Sequence, residues 1–275
     1  MANFTAADIK ALREQTGAGM LDVRNALAEA EGDRTKAVEI LRVKGLKGVT
    51  KREGRSASNG LVAARVQDGV GTLVEVNCET DFVAKAAPFQ QVADTVLETA
   101  VRTGASDAAS LLAADVDGRT LQAVLDEANA TIGEKIEVRR VARVEGAHVA
   151  SYLHRTSPDL PPQIGVLVAL DSEAVDTARD VAMHIAALSP LHLHRDEVSE
   201  DVVANERRIA EETAREEGKP EQALPRIVEG RVNGYFKDNV LLEQAFAKDP
   251  KRTVKQLLAD SGVQVTSFVR FRVGA

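Results

Sequence analysis

Leu61-Val-Ala-Ala-Arg-Val-Gln-Asp-Gly-Val-Gly-Thr-Leu-Val-Glu-Val-Asn-Cys78 decides how the chain folds. Two runs, Leu61 to Val66 and Thr72 to Cys78, alternate in polarity around Asp68-Gly69, the dipeptide that supplies the left-handed backbone of a tight turn. This is a β-hairpin. Pro88 to Val101 then places Phe89, Val92, Val96 and Ala100 at helical spacing. Weaker helical stretches follow at Asp107 to Ala114 and Arg119 to Ala130, and Gly133 precedes a strand, Ile136 to Val144. Hairpin, helices and closing strand make an α+β unit.

The second half repeats that order. Val149 to Leu153 with Ile164 to Leu170 resembles the hairpin, and Glu173 to Leu188 resembles the first helix. A helix from Thr253 to Ser261, with Thr253 and Gln256 at capping-box spacing, precedes Gly262 and an alternating strand closing on Arg272-Val273. Gly133 to Val144 ends the same way. We read two related α+β subdomains with antiparallel sheets, 56–146 and 147–275. The second carries an insertion, 198–239. Ser199 opens a charged helix, Gly218-Lys219-Pro220 turns it, and Ala223, Leu224, Ile227, Val228 and Val232 form the return face of an antiparallel helical hairpin. Pro225 lies inside the return arm and is expected to bend or delay it. Its apolar stripes are thin, so the hairpin should project and serve contacts between chains.

Upstream of residue 56 the pattern is helical. Thr5 and Asp8 have capping-box spacing, and Phe4 and Ile9 have that of a hydrophobic staple. Gly17-Ala18-Gly19 stops this helix. Met20, Val23, Leu27 and Ala30 make a second, stopped by Glu31-Gly32-Asp33. Asp33 caps a third that buries Ala37, Val38 and Leu41 and ends at Gly45. Residues 1–55 are thus a three-helix docking module and a basic linker, with Arg42, Lys44, Lys47, Lys51, Arg52 and Arg55 against Glu53 alone.

Composition narrows the chemistry. The 275 residues are 44% hydrophobic and 28% charged, with net charge −7, so whole-chain disorder is excluded. No run reaches the roughly 18 apolar residues of a membrane span, and a single cysteine, Cys78, fits a reducing compartment; a cytoplasmic protein is expected. Cys78 has no adjacent cation to lower its pKa, which favours a structural thiol. His184, His192 and His194 fall close together, the last two on one face of an expected strand. Without an HExxH pattern or partner cysteine, a solvated or hydrogen-bonded group is favoured over a metal site. No GxxxxGK[ST] or GxGxxG is present, so neither direct nucleotide binding nor a cofactor is expected. The basic run lacks interleaved aromatics in an acidic chain, which argues against nucleic acid. A nucleic-acid module using residues 42–55 and a self-associating scaffold using 198–239 are the alternatives.

Aromatics make up only 3% of the chain, seven Phe and two Tyr. Thr80-Asp81-Phe82-Val83 places one of them at a polar turn directly after the first hairpin. Thr80 or Asp81 can cap the helix that follows with Phe82 folded onto the core. Equally, the turn can present Phe82 for binding. Composition leaves both open.

Three segments carry a resemblance. Ile9 to Asp22, Glu75 to Ala84 and Val228-Glu-Gly-Arg231 closely resemble bacterial translation elongation factor Ts, and the likeness runs in order from about residue 3 to residue 274. It implies that residues 1–55 are similar to a ubiquitin-associated domain. It implies a guanine-nucleotide exchange factor, not an enzyme, that binds elongation factor Tu in its GDP-bound and nucleotide-free forms. Thr80, Asp81, Phe82 and Val83 match the motif that disturbs the magnesium site of that partner. Arg13, Met20 and Leu21, Ile132 and Gly133, and His154 match further contacts. A dimer or heterotetramer through the helical hairpin is also expected. Two departures stand out: longer members continue into a C-terminal helix, and the loop from Thr156 to Gln163 looks extended beside His154.

Overall fold

Thr5 and Asp8 close the first helix by local chemistry alone. In a computed structural model describing residues 4–16, 18–52 and 54–275, the Thr5 amide donates to Asp8 Oδ2 at 2.7 Å, and the Asp8 amide donates to Thr5 Oγ1 at 3.2 Å. The Thr5 amide, the Arg34 guanidinium and the Thr5 hydroxyl all donate to the Asp8 carboxylate and hold it down at about 2. Helix α1 (Ala6–Thr16) follows; Gly17, expected to help stop it, lies outside the described residues. Helix α2 (Met20–Glu29) ends where Glu31 and Gly32 turn left-handed, at φ 52 and 92. Asp33 Oδ1 then accepts from the Thr35 and Lys36 amides to open α3 (Arg34–Arg52). Leu12, Val23, Ala26, Leu27, Ala37 and Leu41 form the buried centre of this bundle.

Gly45 does not end α3, contrary to the expectation. The helix continues through Gly45 and Gly48 to Arg52. An interior glycine costs roughly 1 kcal/mol against alanine and does not forbid a helix. Here α3 packs along α7 (Leu121–Ile132), and Arg42 Nη2 reaches Glu127 Oε2 at 3.2 Å. The side chains of residues 45–52, including Lys47, Lys51 and Arg52 of the basic run, and all of Glu53 lie outside the described residues.

The hairpin forms as expected. Strands β1 (Asn59–Gln67) and β2 (Val70–Cys78) are antiparallel from Asn59 opposite Cys78 to Gln67 opposite Val70. Asp68 and Gly69 have φ of 51 and 76, the paired left-handed residues of a turn whose twist suits a hairpin. Every residue of β2 from Gly71 to Cys78 is buried, because β2 is central in the sheet order β1-β2-β5, with β5 at Glu137–Glu145. Short α4 (Asp81–Lys85) leads into α5 (Ala87–Thr103), whose Phe89, Ala93, Val96 and Ala100 pack with Val74, Val76 and Val138. Helix α6 (Ala108–Leu112) precedes a two-stranded ribbon, β3 (Asp115–Val116) and β4 (Arg119–Thr120), and Thr120 caps α7.

The chain divides into two compact units: Met1–Arg143 with Leu153–Gly165 and Phe271–Ala275, and Val144–Tyr152 with Val166–Arg270. The later sheet joins β6 (His148–His154), β7 (Ile164–Leu170) and β10 (Val265–Arg272) in the order β10-β7-β6. In both sheets the second strand of a hairpin lies between the first and a strand arriving after the helices. This is the internal repeat of the sequence, written as topology. Helix α8 (Val175–Leu188) buries Val181, Ile185 and His184. The insertion is the expected hairpin, α9 (Glu200–Glu216) against α10 (Leu224–Asn239), with Val232, Phe236 and Val240 at its base. Pro225 sits in the first turn of α10, so it delays the helix without bending it. A ribbon, β8 (Ala245–Phe246) with β9 (Asp249–Thr253), leads into α11 (Val254–Ser261), which has the Thr253–Gln256 capping box.

The histidines depart from expectation. His192 and His194 share no strand: His192 makes one isolated bridge to Val240, and a 3-10 turn begins at Arg195. Their alternation with Leu191 and Leu193 suits a strand, but the Leu191 and His192 amides both donate to the Asn239 carbonyl, at 2.9 and 3.1 Å, and the Leu241 amide donates to the His192 carbonyl at 2.8 Å, a local clamp on the end of α10 in place of a ladder. Among the described residues no helix is long and apolar enough to cross a membrane.

Candidate functional site

Strand β2 delivers its last residue, Cys78, to a sharp exit. The Cys78 thiol is buried and donates to the Thr80 carbonyl at 3.2 Å, and burial pushes its pKa up to about 12, so it holds the exit together as a neutral group. Thr80 is extended at φ −123, and its Oγ1 accepts from the Val83 amide at 3.3 Å, capping α4. In the five-residue helix that follows, Ala84 is buried and Val83 packs on the core of the first sheet. Those two take the inward face. Phe82 points away and is 80% exposed, so the reading that folds it onto the core is excluded.

Charge surrounds the ring. Lys85 Nζ donates to Asp81 Oδ2 at 2.8 Å, one helical turn away, and lies 5.8 Å from the centre of the Phe82 ring. The Lys85 hydrogen bond is the main reason that the Asp81 carboxyl is held below its ordinary range. The tip of α4 therefore offers an apolar ring flanked by a neutralised ion pair.

Two carboxylates that the sequence did not single out set this geometry. Glu134 Oε2 accepts from the amides of Glu79 and Thr80 at 3.1 and 3.0 Å, and Glu134 Oε1 accepts from Thr80 Oγ1 at 2.6 Å. Glu79 accepts from the Lys135 amide at 2.7 Å and from Arg55 Nη1 at 3.3 Å. In the sequence Glu134 reads as a solvated residue between a helix stop and a strand. No local spacing ties position 134 to positions 79 and 80.

The other expected contact residues occupy the same unit. Gly133 is the left-handed C-cap of α7, at φ 86, and Ile132 is the last residue of that helix. A cleft lined by Ala18, Gly19, Asp22, Leu41, Lys44 and Gly133, among others, brings the start of α2 beside the end of α7. Met20 and Leu21, 61% and 63% exposed, stand at that start. Glu134 thus joins the end of α7, at Ile132 and Gly133, to the Thr80 to Val83 turn, and Met20 and Leu21 stand at the start of α2 beside that cleft. Arg13 is exposed on α1. His154 connects by another path: its carbonyl accepts from the Gln163 amide at 2.9 Å, and Gln163 Nε2 donates to the Gly60 carbonyl at 2.8 Å, opposite Asn77.

Comparison with known proteins converges on one description. The sequence model of the family Elongation factor TS matches residues 79–275, beginning at the Glu79 turn. A protein named Elongation factor Ts from Kineococcus radiotolerans is 65% identical over 275 residues, covering the whole of both chains. Proteins of the same name from Beutenbergia cavernae and Micrococcus luteus are 63% and 62% identical, again over the full length of each chain.

Proposed function

Because the chain belongs to the elongation factor Ts family, we propose that it is a guanine-nucleotide exchange factor that engages elongation factor Tu in the cytoplasm during translation elongation. It binds the GDP-bound and nucleotide-free partner, makes and breaks no covalent bond, and so is not an enzyme. The observation that carries this reading is Phe82, an aromatic 80% exposed on a helix capped directly at the end of a buried strand. A ring so placed can enter a crevice of the partner without rearrangement of its own support.

The mechanism is linkage. Thr80 to Val83 press beside the partner's magnesium site, Phe82 supplying the apolar wedge and Asp81 competing for local polar groups. Losing the ion uncovers phosphate charge, and GDP affinity falls. A factor that prefers nucleotide-free Tu weakens GDP by the same factor by which GDP weakens it, so the ternary complex lets GDP leave and GTP enter. Arg13, Met20 and Leu21 on the 1–55 module, Ile132 with Gly133, and His154 supply further contacts. The 198–239 hairpin joins copies into a dimer or heterotetramer, a role supported by Val202 and Ile209, 39% and 41% exposed along α9.

The test is release of labelled GDP from purified elongation factor Tu. Wild-type chain accelerates it, and Phe82→Ala, correctly folded, accelerates it far less. Equal release with Phe82→Ala removes the wedge from the mechanism.

A further inference from the structure

Helix α4 has five residues, too few to hold a direction by its own hydrogen bonds. Its aim comes from Ala84 and Val83 seated on the core and from the bonds at its ends. At the N-terminal end one carboxylate takes three donors from two successive residues: the Glu79 amide, the Thr80 amide and the Thr80 hydroxyl, at 3.1, 3.0 and 2.6 Å. Resting on the exchange-factor reading above, we propose that Glu134 is a positioning residue for Phe82, locking the 79–83 and 132–135 segments into one contact surface.

The brace is reciprocal. Glu134 reaches from the α7 exit to the backbone of the β2 exit, while Glu79 reaches back, its Oε1 accepting from the Lys135 amide at 2.7 Å. Bonds from amides to an ionised acceptor are stronger than neutral ones, and a half-buried carboxylate without them would be costly. Each loop supplies the acceptor that the other's backbone needs. Further bonds secure the frame: Asn59 Nδ2 donates to the Glu79 carbonyl at 2.8 Å, Lys135 Nζ to the Arg55 carbonyl at 3.2 Å, and the Gly133 amide to the Asn129 carbonyl at 3.1 Å. Glu134 is one residue past Gly133, and Thr80 is two before Phe82. A partner pressing on Ile132 and Gly133 therefore moves the base of Phe82, and the push is not absorbed in a loose loop.

The experiment is a double-mutant cycle on the full-length protein: wild type, Phe82→Ala, Glu134→Ala and the double variant, each titrated into elongation factor Tu loaded with labelled GDP. Glu134→Ala is expected to lower the maximal release rate about tenfold, within the roughly hundredfold that a 1 Å misplacement can cost. If it acts through Phe82, the double variant is no slower than Phe82→Ala alone. Glu134→Gln, which keeps the length and an acceptor oxygen, restores most of the rate. Hydrogen exchange at the Glu79 and Thr80 amides of the free protein speeds up in Glu134→Ala. Should that variant not fold, Glu134→Asp, which withdraws the carboxylate by one methylene, takes its place in the cycle. Additive losses, or an unchanged maximal rate in a folded Glu134 variant, overturn the coupling while leaving the wedge intact. Wild-type release by Phe82→Ala overturns the wedge and this proposal with it.

Discussion

The Glu75 carboxylate, wholly buried in β2, accepts from Arg140 Nε of β5 at 2.6 Å and from the Gly274 amide at 3.2 Å. Arg140 in turn donates from Nη2 to the Arg272 carbonyl at 2.9 Å and lies 4.6 Å from the Phe271 ring centre. One ion pair thus ties the middle of the first sheet to the last residues of the chain. Removing one member of such a pair leaves an uncompensated group in the interior, whereas replacing both with apolar residues is far milder. Arg140→Ala, which leaves the wholly buried Glu75 carboxylate without its cation, should cost about 3 kcal/mol in urea denaturation, and Glu75→Leu with Arg140→Met should recover more than half of that. A loss under about 1 kcal/mol for the single variant would show that the pair is not the anchor.

His184 makes stability depend on pH. Its Nδ1 accepts from the Ala247 amide at 3.1 Å, so in the neutral ring Nε2 carries the proton and donates to Gln244 Oε1 at 2.8 Å. A second proton would face an amide N–H, and burial, the larger cause, already lowers the pKa from 6.5. Below about 6.5 the unfolded chain takes up a proton that the folded chain refuses. Stability is therefore full above that pH and declines as pH falls toward the folded value, by at most about 1.4 kcal/mol per unit. His184→Asn, which keeps an acceptor near the Ala247 amide, should be less stable at pH 7 yet show a flatter decline to pH 5. Parallel stability curves would remove His184 as the source.

Leu21 offers a separation of binding from folding. At 63% exposure on the first turn of α2 it contributes little to the bundle core, so Leu21→Asp should change stability by no more than about 0.5 kcal/mol. If α2 meets the partner as proposed, the same change weakens association with elongation factor Tu measured by titration calorimetry. Unaltered affinity would take α2 out of the interface.

Local chemistry was readable from the sequence, and distant chemistry was not. Thr5 with Asp8, Asp33, Asp68-Gly69, Ser199 and Thr253 with Gln256 all act within three or four residues, and each does what its spacing implies. Gly45 misled because a glycine in a helix is judged by its neighbours, and the neighbour that sustains α3 is α7, some eighty positions on. His192 and His194 misled because alternation describes a strand only when a partner strand pairs along its length. For the site, an aromatic at a polar turn marked Phe82 as unusual, and the family resemblance marked the other contact residues. Glu134 stayed invisible, since its meaning lies in two amides and a hydroxyl more than fifty residues away.

An aromatic ring left in water invites its own kind, and an exposed phenylalanine on every copy is a standing route to self-adhesion. Lys85 alters that balance. Its ammonium sits over the ring at 5.8 Å while bonded to Asp81, so two copies meeting ring to ring must also strip water from an ion pair on each side. A surface that supplies a negative group beside an apolar crevice meets no such barrier. The same lysine that neutralises Asp81 thus makes the ring unwelcoming to itself and open to others, a solubility device one helical turn long.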